Sequence, residues 1–311
     1  MEEVKYKNSK YIVDDELDLI AIFGALIKNW RSILIISFFC FGVSLLVSLM
    51  IPNKYTSSVL IIAEEGNSME SSFSQYSSLA NFAGINVQTE TNRGLLGLET
   101  LKSRVLVQNF INENNLLVPL FASKKWDIES GDIILDKNIY DPISKKWTRK
   151  ASFPKQPKPS LNEAYELWIQ DIFSYTYDEQ NGFINFSITH HSPLLAAEWA
   201  TLLIEKLNNY MRERDVVEAE LSIEYLNEAV SGTQSEELRE LFYKLIQSKT
   251  EQKMLAYSRS EYLFTIVDPP VISEEHAYPN RLIICLIGLI IGILVGSIVA
   301  IFRTSKSSIS S

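Results

Sequence analysis

The sequence predicts an α+β membrane protein, with a membrane-proximal mixed α/β base, a long protruding helical arm and two transmembrane anchors. Three observations carry that expectation. Two uncharged apolar segments lie near the two ends of a 311-residue chain, at 32–51 and 282–302. A stretch from Pro193 to about 231 has no further proline and no glycine. Short β-branched runs follow the first apolar segment and precede the second. The averages conceal this: 46% hydrophobic, 22% charged and a formal net charge of −9 describe an ordinary polar protein. The acidic balance excludes a nucleic-acid binder, which needs basic surface to displace counterions from phosphates.

At 1.5 Å per residue each apolar segment reaches roughly 30 Å as a helix, the thickness of a bilayer core. The first is read as an uncleaved anchor, because polar or amphipathic residues precede it and MIPNKYTSS offers no small-x-small cleavage site. Lys28 and Arg31 precede the first span and Arg303 and Lys306 follow the second, against Lys54 and Arg281 on the other flanks. The positive-inside rule then places residues 1–31 and 303–311 in the cytoplasm and has residues 52–281 exported across the membrane. Cys40 and Cys285 both fall inside the spans, so the exported domain has neither thiol nor disulfide. In the second span Gly288, Gly292 and Gly296 recur every four residues, followed by Ala300; in the first, Cys40, Ser44 and Ser48 do the same. Small residues at this spacing let helix backbones approach closely, so these faces are expected to pack, within one chain or between neighbours.

The elements follow in order. Acids at 15–18 and Lys28 at the far end suit a short amphipathic helix on the inner membrane surface before the first span. KYTSSVLIIA, residues 54–63, is a strand by composition. Residues 66–92 are rich in Ser, Asn, Gln and Thr and read as an excursion, and 101–117 has helical spacing. A basic run holds Lys145, Lys146, Arg149, Lys150, Lys155 and Lys158 with no acid between Pro142 and Asn162. Pro154, Pro157 and Pro159 make it a solvated linker; the functional alternative is contact with anionic lipid heads or a lipid-linked sugar diphosphate.

Ser160-Leu-Asn-Glu163 is a capping box opening a helix to about Phe173. Two strands, 173–178 and 183–190, flank a turn ending in Asn181-Gly182. Ser192-Pro193 supplies an N-cap and an N1 proline for a helix to about 231, broken at Gly232-Thr233, and a second helix is expected over 235–257. Trp199, Leu203, Leu207, Tyr210, Val217 and Leu221 form an apolar stripe on the first helix, expected to be exposed on the arm and to drive homo-oligomerisation. A last strand, 262–267, leads to Pro269, Pro270 and Pro279 before the second span.

No chemistry stands out. No His/Cys spacing suits zinc, no GxxxxGK[ST] loop occurs, and His190-His191 reads as a strand end, so neither catalytic residues, metal nor cofactor are expected.

Several local sequences resemble the Wzz family of polysaccharide co-polymerases: Glu16-Leu17-Asp18-Leu19 and Trp30-Arg31 before the first span, Lys54-Tyr55-Thr56 after it, Ser192-Pro193-Leu-Leu-Ala196-Ala197, and the proline-marked return to Pro279-Asn280-Arg281. The chain differs from the family pattern in having no further proline between Pro270 and Pro279. The resemblance implies a non-enzymatic inner-membrane ring that works beside a glycan polymerase, in contact with membrane lipids and with lipid-linked glycan as a further ligand, and sets O-antigen chain length. The nine residues after Phe302 carry no tyrosine-kinase module, which favours the short lipopolysaccharide type. The alternative is a capsule or exopolysaccharide export component with a separately encoded kinase. A two-span sensor would need a signalling module, and an exported hydrolase would need a catalytic constellation.

Overall fold

The computed structural model describes residues 26–63 and 90–309. The amphipathic segment expected at 15–18 onward lies largely outside the described residues, as does most of the 66–92 excursion. The chain divides into two compact units, Met1–Ile51 with Pro279–Ser311, and Pro52–Tyr278.

The first unit holds the helices α1 (Trp30–Met50) and, last in the chain, α8 (Arg281–Ile309). Their most apolar stretches have mean hydropathies of 2.6 and 3.1, and both helices are long and apolar enough to cross a membrane. Neither helix is enclosed by the rest of the described chain: Leu34, Ile35, Phe38, Phe39 and Leu46 on α1, and Leu282, Leu286, Leu294 and Phe302 on α8, are all exposed. α8 starts where the Asn280 side chain accepts the Ile283 N–H at 3.3 Å.

The second unit is mixed α/β. Its elements run β1 (Tyr55–Ala63), α2 (Glu90–Leu101), α3 (Arg104–Glu113), α4 (Leu117–Ala122), β2 (Ser123–Trp126), β3 (Ile133–Leu135), β4 (Tyr140–Asp141), β5 (Lys146–Trp147), α5 (Leu161–Leu167), β6 (Phe173–Tyr177), β7 (Phe183–His190), α6 (Pro193–Gly232), α7 (Glu236–Ser258) and β8 (Phe264–Asp268). The main sheet has the order β6-β7-β1-β8, antiparallel throughout. The 173–190 hairpin turns at Gly182, whose φ of +70° is open to glycine and costly for other residues. Asp178 fastens the turn by accepting the Gln180 N–H at 2.9 Å.

Period-two alternation turns Val59 and Ile61 of β1, and Ile184, Phe186 and Ile188 of β7, to one face, paired Val59↔Phe186 and Ile61↔Ile184. The first half of α6 lies over that face with Trp199, Leu203, Leu207 and Met211, all buried. Trp168 and Phe110 close the core, their ring centroids 5.4 Å apart.

Two expectations change. The helical spacing over 101–117 is not one helix: Ser103 leaves the α region and caps α3 by accepting the Leu106 N–H, and Asn115 at φ 54° ends it before α4. Local side-chain capping won over apolar periodicity. The helix opened by Ser160 also shortens, passing at Trp168–Ile172 into a π-turn that seats Trp168 in the core.

Candidate functional site

Three features bear on function: the contact between the apolar helices, the junction that aims the long helix, and the surfaces left open.

In the first unit the glycine face of α8 lies on α1. A Cβ at Gly292 would stand 2.6 Å from the Ser37 Cα and 3.0 Å from the Cys40 Cβ; one at Gly296 would stand 3.0 Å from the Ile33 Cα; one at Gly288 would collide with the Ser44 side chain. All three glycines are therefore at backbone contact, where any side chain forces the helices apart. Cys40 and Ser44 lie on the matching face of α1, and Ser48 is buried. Ile33 and Ser37 belong to the same face. Strict four-residue spacing passes over them because a 3.6-residue helix returns by steps of three as well as four.

In the second unit α6 begins at Ser192, which accepts the Leu195 N–H, with Pro193 at the first helical position. Two residues before the cap, His190 ends β7. His190 is buried; its Nε2–H donates to the Pro119 carbonyl at 3.0 Å and its Nδ1 accepts the Ser192 N–H at 3.1 Å. These partners require the neutral Nε2–H tautomer. Burial, with His191 and Lys54 nearby, pushes the His190 pKa down to about 4. The ring lies 4.7 Å from Trp199. His191 is half-buried, its Nδ1 3.0 Å from the Asn53 carbonyl, and burial lowers its pKa too. A cavity of about 260 Å³ opens beside the pair, with Lys54, Asp171 and Thr189 among its lining. Among the described residues no cluster of three His, Cys, Asp or Glu is placed to hold a metal ion.

Fifteen residues into α6, Asn208 fastens the helix to β8. Its amide donates to the Phe264 carbonyl at 2.9 Å, and its Oδ1 accepts the Leu263 and Phe264 N–H groups, each at 2.9 Å. One turn pair further on, Asp215 accepts the Tyr262 hydroxyl at 2.9 Å, and Arg212 donates to the Arg259 and Ser260 carbonyls at 2.8 Å. These bonds join the end of α7 to the middle of α6. α7 then packs along α6; Leu245 and Ala256 of α7, and Val216, Ala219 and Leu226 of α6, are buried. Asn208 escaped the sequence reading because a mid-helix asparagine beside a second one looks like solvated surface.

The expected apolar stripe is split by this arrangement. Trp199, Leu203 and Leu207 are not an oligomer surface: they are buried in the chain's own core, since the first half of α6 covers the sheet. Tyr210 is half-buried. Val217 (54% exposed) and Leu221 (62%) are open, and Tyr225 (71%), four residues on, extends them on the side of α6 away from Val216, Ala219 and Leu226.

The basic run is also not uniform. Arg149 is committed internally: it meets both Glu163 oxygens at 3.0 Å, donates to the Gln156 and Pro157 carbonyls, and lies 5.7 Å over the Phe121 ring. Burial pushes the Glu163 carboxyl up, but the Ser160 N–H and the Arg149 guanidinium outweigh it and hold its pKa below the usual range. Lys145, Lys146 and Lys150 are exposed. Pro269 and Pro270 follow β8, where the missing N–H ends the ladder, and Ser57 holds the next residue by donating to the Val271 carbonyl at 2.8 Å. Pro279 directly precedes the Asn280 cap of α8.

Residues 15–114, which run through α1 and β1 to the end of α3, match the family model described as "Wzz: Chain length determinant protein". The match spans about a third of the chain, and over those residues the chain is similar to the Wzz family. The matched residues include the first apolar helix, the strand β1 inside the main sheet and the helices α2 and α3 that follow it. Two solved structures are similar at low identity. One, titled "full-length bacterial polysaccharide co-polymerase", is 12% identical, with a TM-score of 0.38, covering 94% of this chain and 99% of its own. The other, a "Fragment of WzzB, Polysaccharide Co-polymerase from Salmonella Typhimurium", is 10% identical, with a TM-score of 0.27, covering 73% of this chain and 100% of its own. No curated protein matches the chain in sequence.

Proposed function

We propose that this protein is a polysaccharide co-polymerase: a non-enzymatic, membrane-anchored regulator of glycan chain length. The observation that carries the reading is the Wzz-like segment at 15–114, set in a chain whose α/β unit is bracketed by two apolar helices. In this reading α1 and α8 span a bacterial inner membrane with both chain ends in the cytoplasm, as the flanking Lys28, Arg31, Arg303 and Lys306 favour. The 52–278 unit then faces the periplasm. Several copies assemble through the open face of α6 at Val217, Leu221 and Tyr225 into a ring beside the glycan polymerase, with lipid-linked glycan as its further ligand. The glycan is lipopolysaccharide O-antigen.

Deletion of the gene, followed by separation of the surface glycan by size, tests the reading. Loss of a modal length with polymerisation intact supports it. Complete loss of glycan favours the capsule or exopolysaccharide alternative, and an unchanged ladder overturns both.

A further inference from the structure

We propose that the two turns flanking β5 form a bilayer-contact patch: Phe153 and Ile143 enter the interface of an anionic membrane while Lys145, Lys146, Lys150 and Lys155 meet its phosphates. The inference rests on the reading that α1 and α8 anchor the chain in a membrane.

The first observation is the exposure of two large apolar side chains at turn corners. Phe153 is 98% exposed and Ile143 is 87% exposed. An isolated Leu or Val on a surface is ordinary, but a phenylalanine carries a large apolar area that a folded chain normally hides.

The second is that both turns are built, so the exposure is held in place. Asp141 accepts the Ile143 N–H at 3.1 Å and the Ser144 hydroxyl at 2.6 Å, which fixes the corner bearing Ile143. The Lys155 N–H donates to the Ser152 carbonyl at 2.9 Å, closing a turn with Phe153 inside it. Arg149 clasps the Gln156 and Pro157 carbonyls, so the whole loop is drawn back onto its own base. Arg149 takes no part in binding; it is a positioning residue for the loop.

The third is charge. Residues 52–281 hold 22 basic and 32 acidic side chains, yet the run between Pro142 and Asn162 has no acid. The acid that follows it, Glu163, is matched by Arg149 at 3.0 Å, and its distance to the Lys155 Nζ is a long 4.0 Å. In an otherwise acidic domain the cations fall in the same acid-free stretch of chain as the two apolar corners.

A bilayer surface fits these features better than a soluble polyanion or a protein. A polyanion has no use for Phe153 and Ile143. A protein partner needs a continuous apolar core, whereas two separate corners are what an interfacial region accepts, with lysine stems lying in the apolar layer and ammonium groups at the phosphates. Each cation near an anionic surface adds about a fivefold factor to partitioning.

The test uses the full-length protein in lipid nanodiscs with acyl chains brominated or not. Phe153→Trp adds one reporter to the five native tryptophans, and the unsubstituted protein in the same discs supplies the baseline. In discs containing phosphatidylglycerol, the variant is expected to show quenching by brominated lipid beyond the baseline. That excess should fall several-fold in all-phosphatidylcholine discs, and likewise when Lys145, Lys146, Lys150 and Lys155 are changed to Gln. All these positions are exposed, and an unchanged thermal midpoint confirms that the fold is kept. No excess quenching overturns the proposal. So does an emission change caused by a soluble sugar diphosphate alone, which would make the patch a soluble-anion site, or shielding from lipid and water quenchers alike, which would mark a protein cover. A protein that leaves the bilayer on carbonate washing defeats the anchoring reading instead, so the two failures are distinguishable.

Discussion

Gly292 of α8 lies so close to Ser37 of α1 that a Cβ on the glycine would stand 2.6 Å from the serine Cα. At that separation the two backbones are in van der Waals contact, and the absence of a side chain is what lets the apolar helices meet.

A cysteine at this point reports which helix is the neighbour. In Gly292→Cys the new Cβ would stand 3.0 Å from the Cys40 Cβ, so the small separation of the helices that it forces moves the pair towards the usual disulfide spacing of about 3.8 Å. Mild oxidation should give an intrachain disulfide, seen as a faster-migrating monomer on a non-reducing gel with loss of two of the three free thiols. A crosslinked dimer instead would mean that α8 meets α1 of another copy. Gly292→Leu should lower the thermal midpoint in detergent, because the larger side chain has no space at the contact.

Asn208 should be among the least replaceable polar residues of the α/β unit. Asn208→Leu leaves the Leu263 and Phe264 N–H groups and the Phe264 carbonyl without their side-chain partner in a buried setting. Each orphaned group costs about 1–3 kcal/mol. Denaturant titration should show a loss of at least about 2 kcal/mol; a change under about 0.5 kcal/mol would mean that the helix is not fastened here.

His190 makes stability depend on pH with a definite sign. Its ordinary pKa of 6.5 applies to the unfolded chain, and the folded value is about 4. Between those values the unfolded state binds more protons, so stability rises with pH. The full contribution is present above pH 6.5 and is lost as pH falls towards 4, amounting to roughly 3 kcal/mol. His190→Gln can donate to the Pro119 carbonyl and accept from Ser192 without titrating. Thermal midpoints measured from pH 7.5 to 4 should therefore slope less in the variant, whatever its stability at neutral pH.

The open face of α6 should separate assembly from folding. Val217→Glu with Leu221→Glu places charge on a surface already in water, so the fold should survive while the oligomer mass measured by light scattering falls to that of a smaller species. Leu203→Glu, in the core, should abolish folded protein altogether. Equal effects of both variants would show that Val217 and Leu221 are not an assembly surface.

Much of the fold was legible because local chemistry agrees with the final structure. Ser160 and Glu163 form the capping box that their spacing predicts, with both reciprocal bonds present. Ser192 and Pro193 start the 40-residue α6, and the 173–190 hairpin turns at Gly182. The apolar stripe was less legible. Trp199 and Leu221 obey the same helical period, yet one is sealed against the sheet and the other stands in water, because periodicity marks a face of a helix but not what covers it. Arg149 reads as one cation among six, and only Glu163 and the carbonyls of Gln156 and Pro157 show that it is already engaged.

By itself, then, the amino-acid sequence determined two apolar helices, the mixed α/β class, and the starts and breaks of the long helices. Those follow from interactions within a few residues: hydropathy over a span, caps, turns and alternation. Tertiary structure alone decided that β1 lies between β7 and β8, that Asn208 ties α6 to β8 across more than fifty residues, and which part of the apolar stripe is spent in the core. It also decided that Phe153 and Ile143 stand outside it. Burial is a property of the assembled neighbours, and hydrophobic stabilisation follows the area they remove from water, which no local pattern specifies.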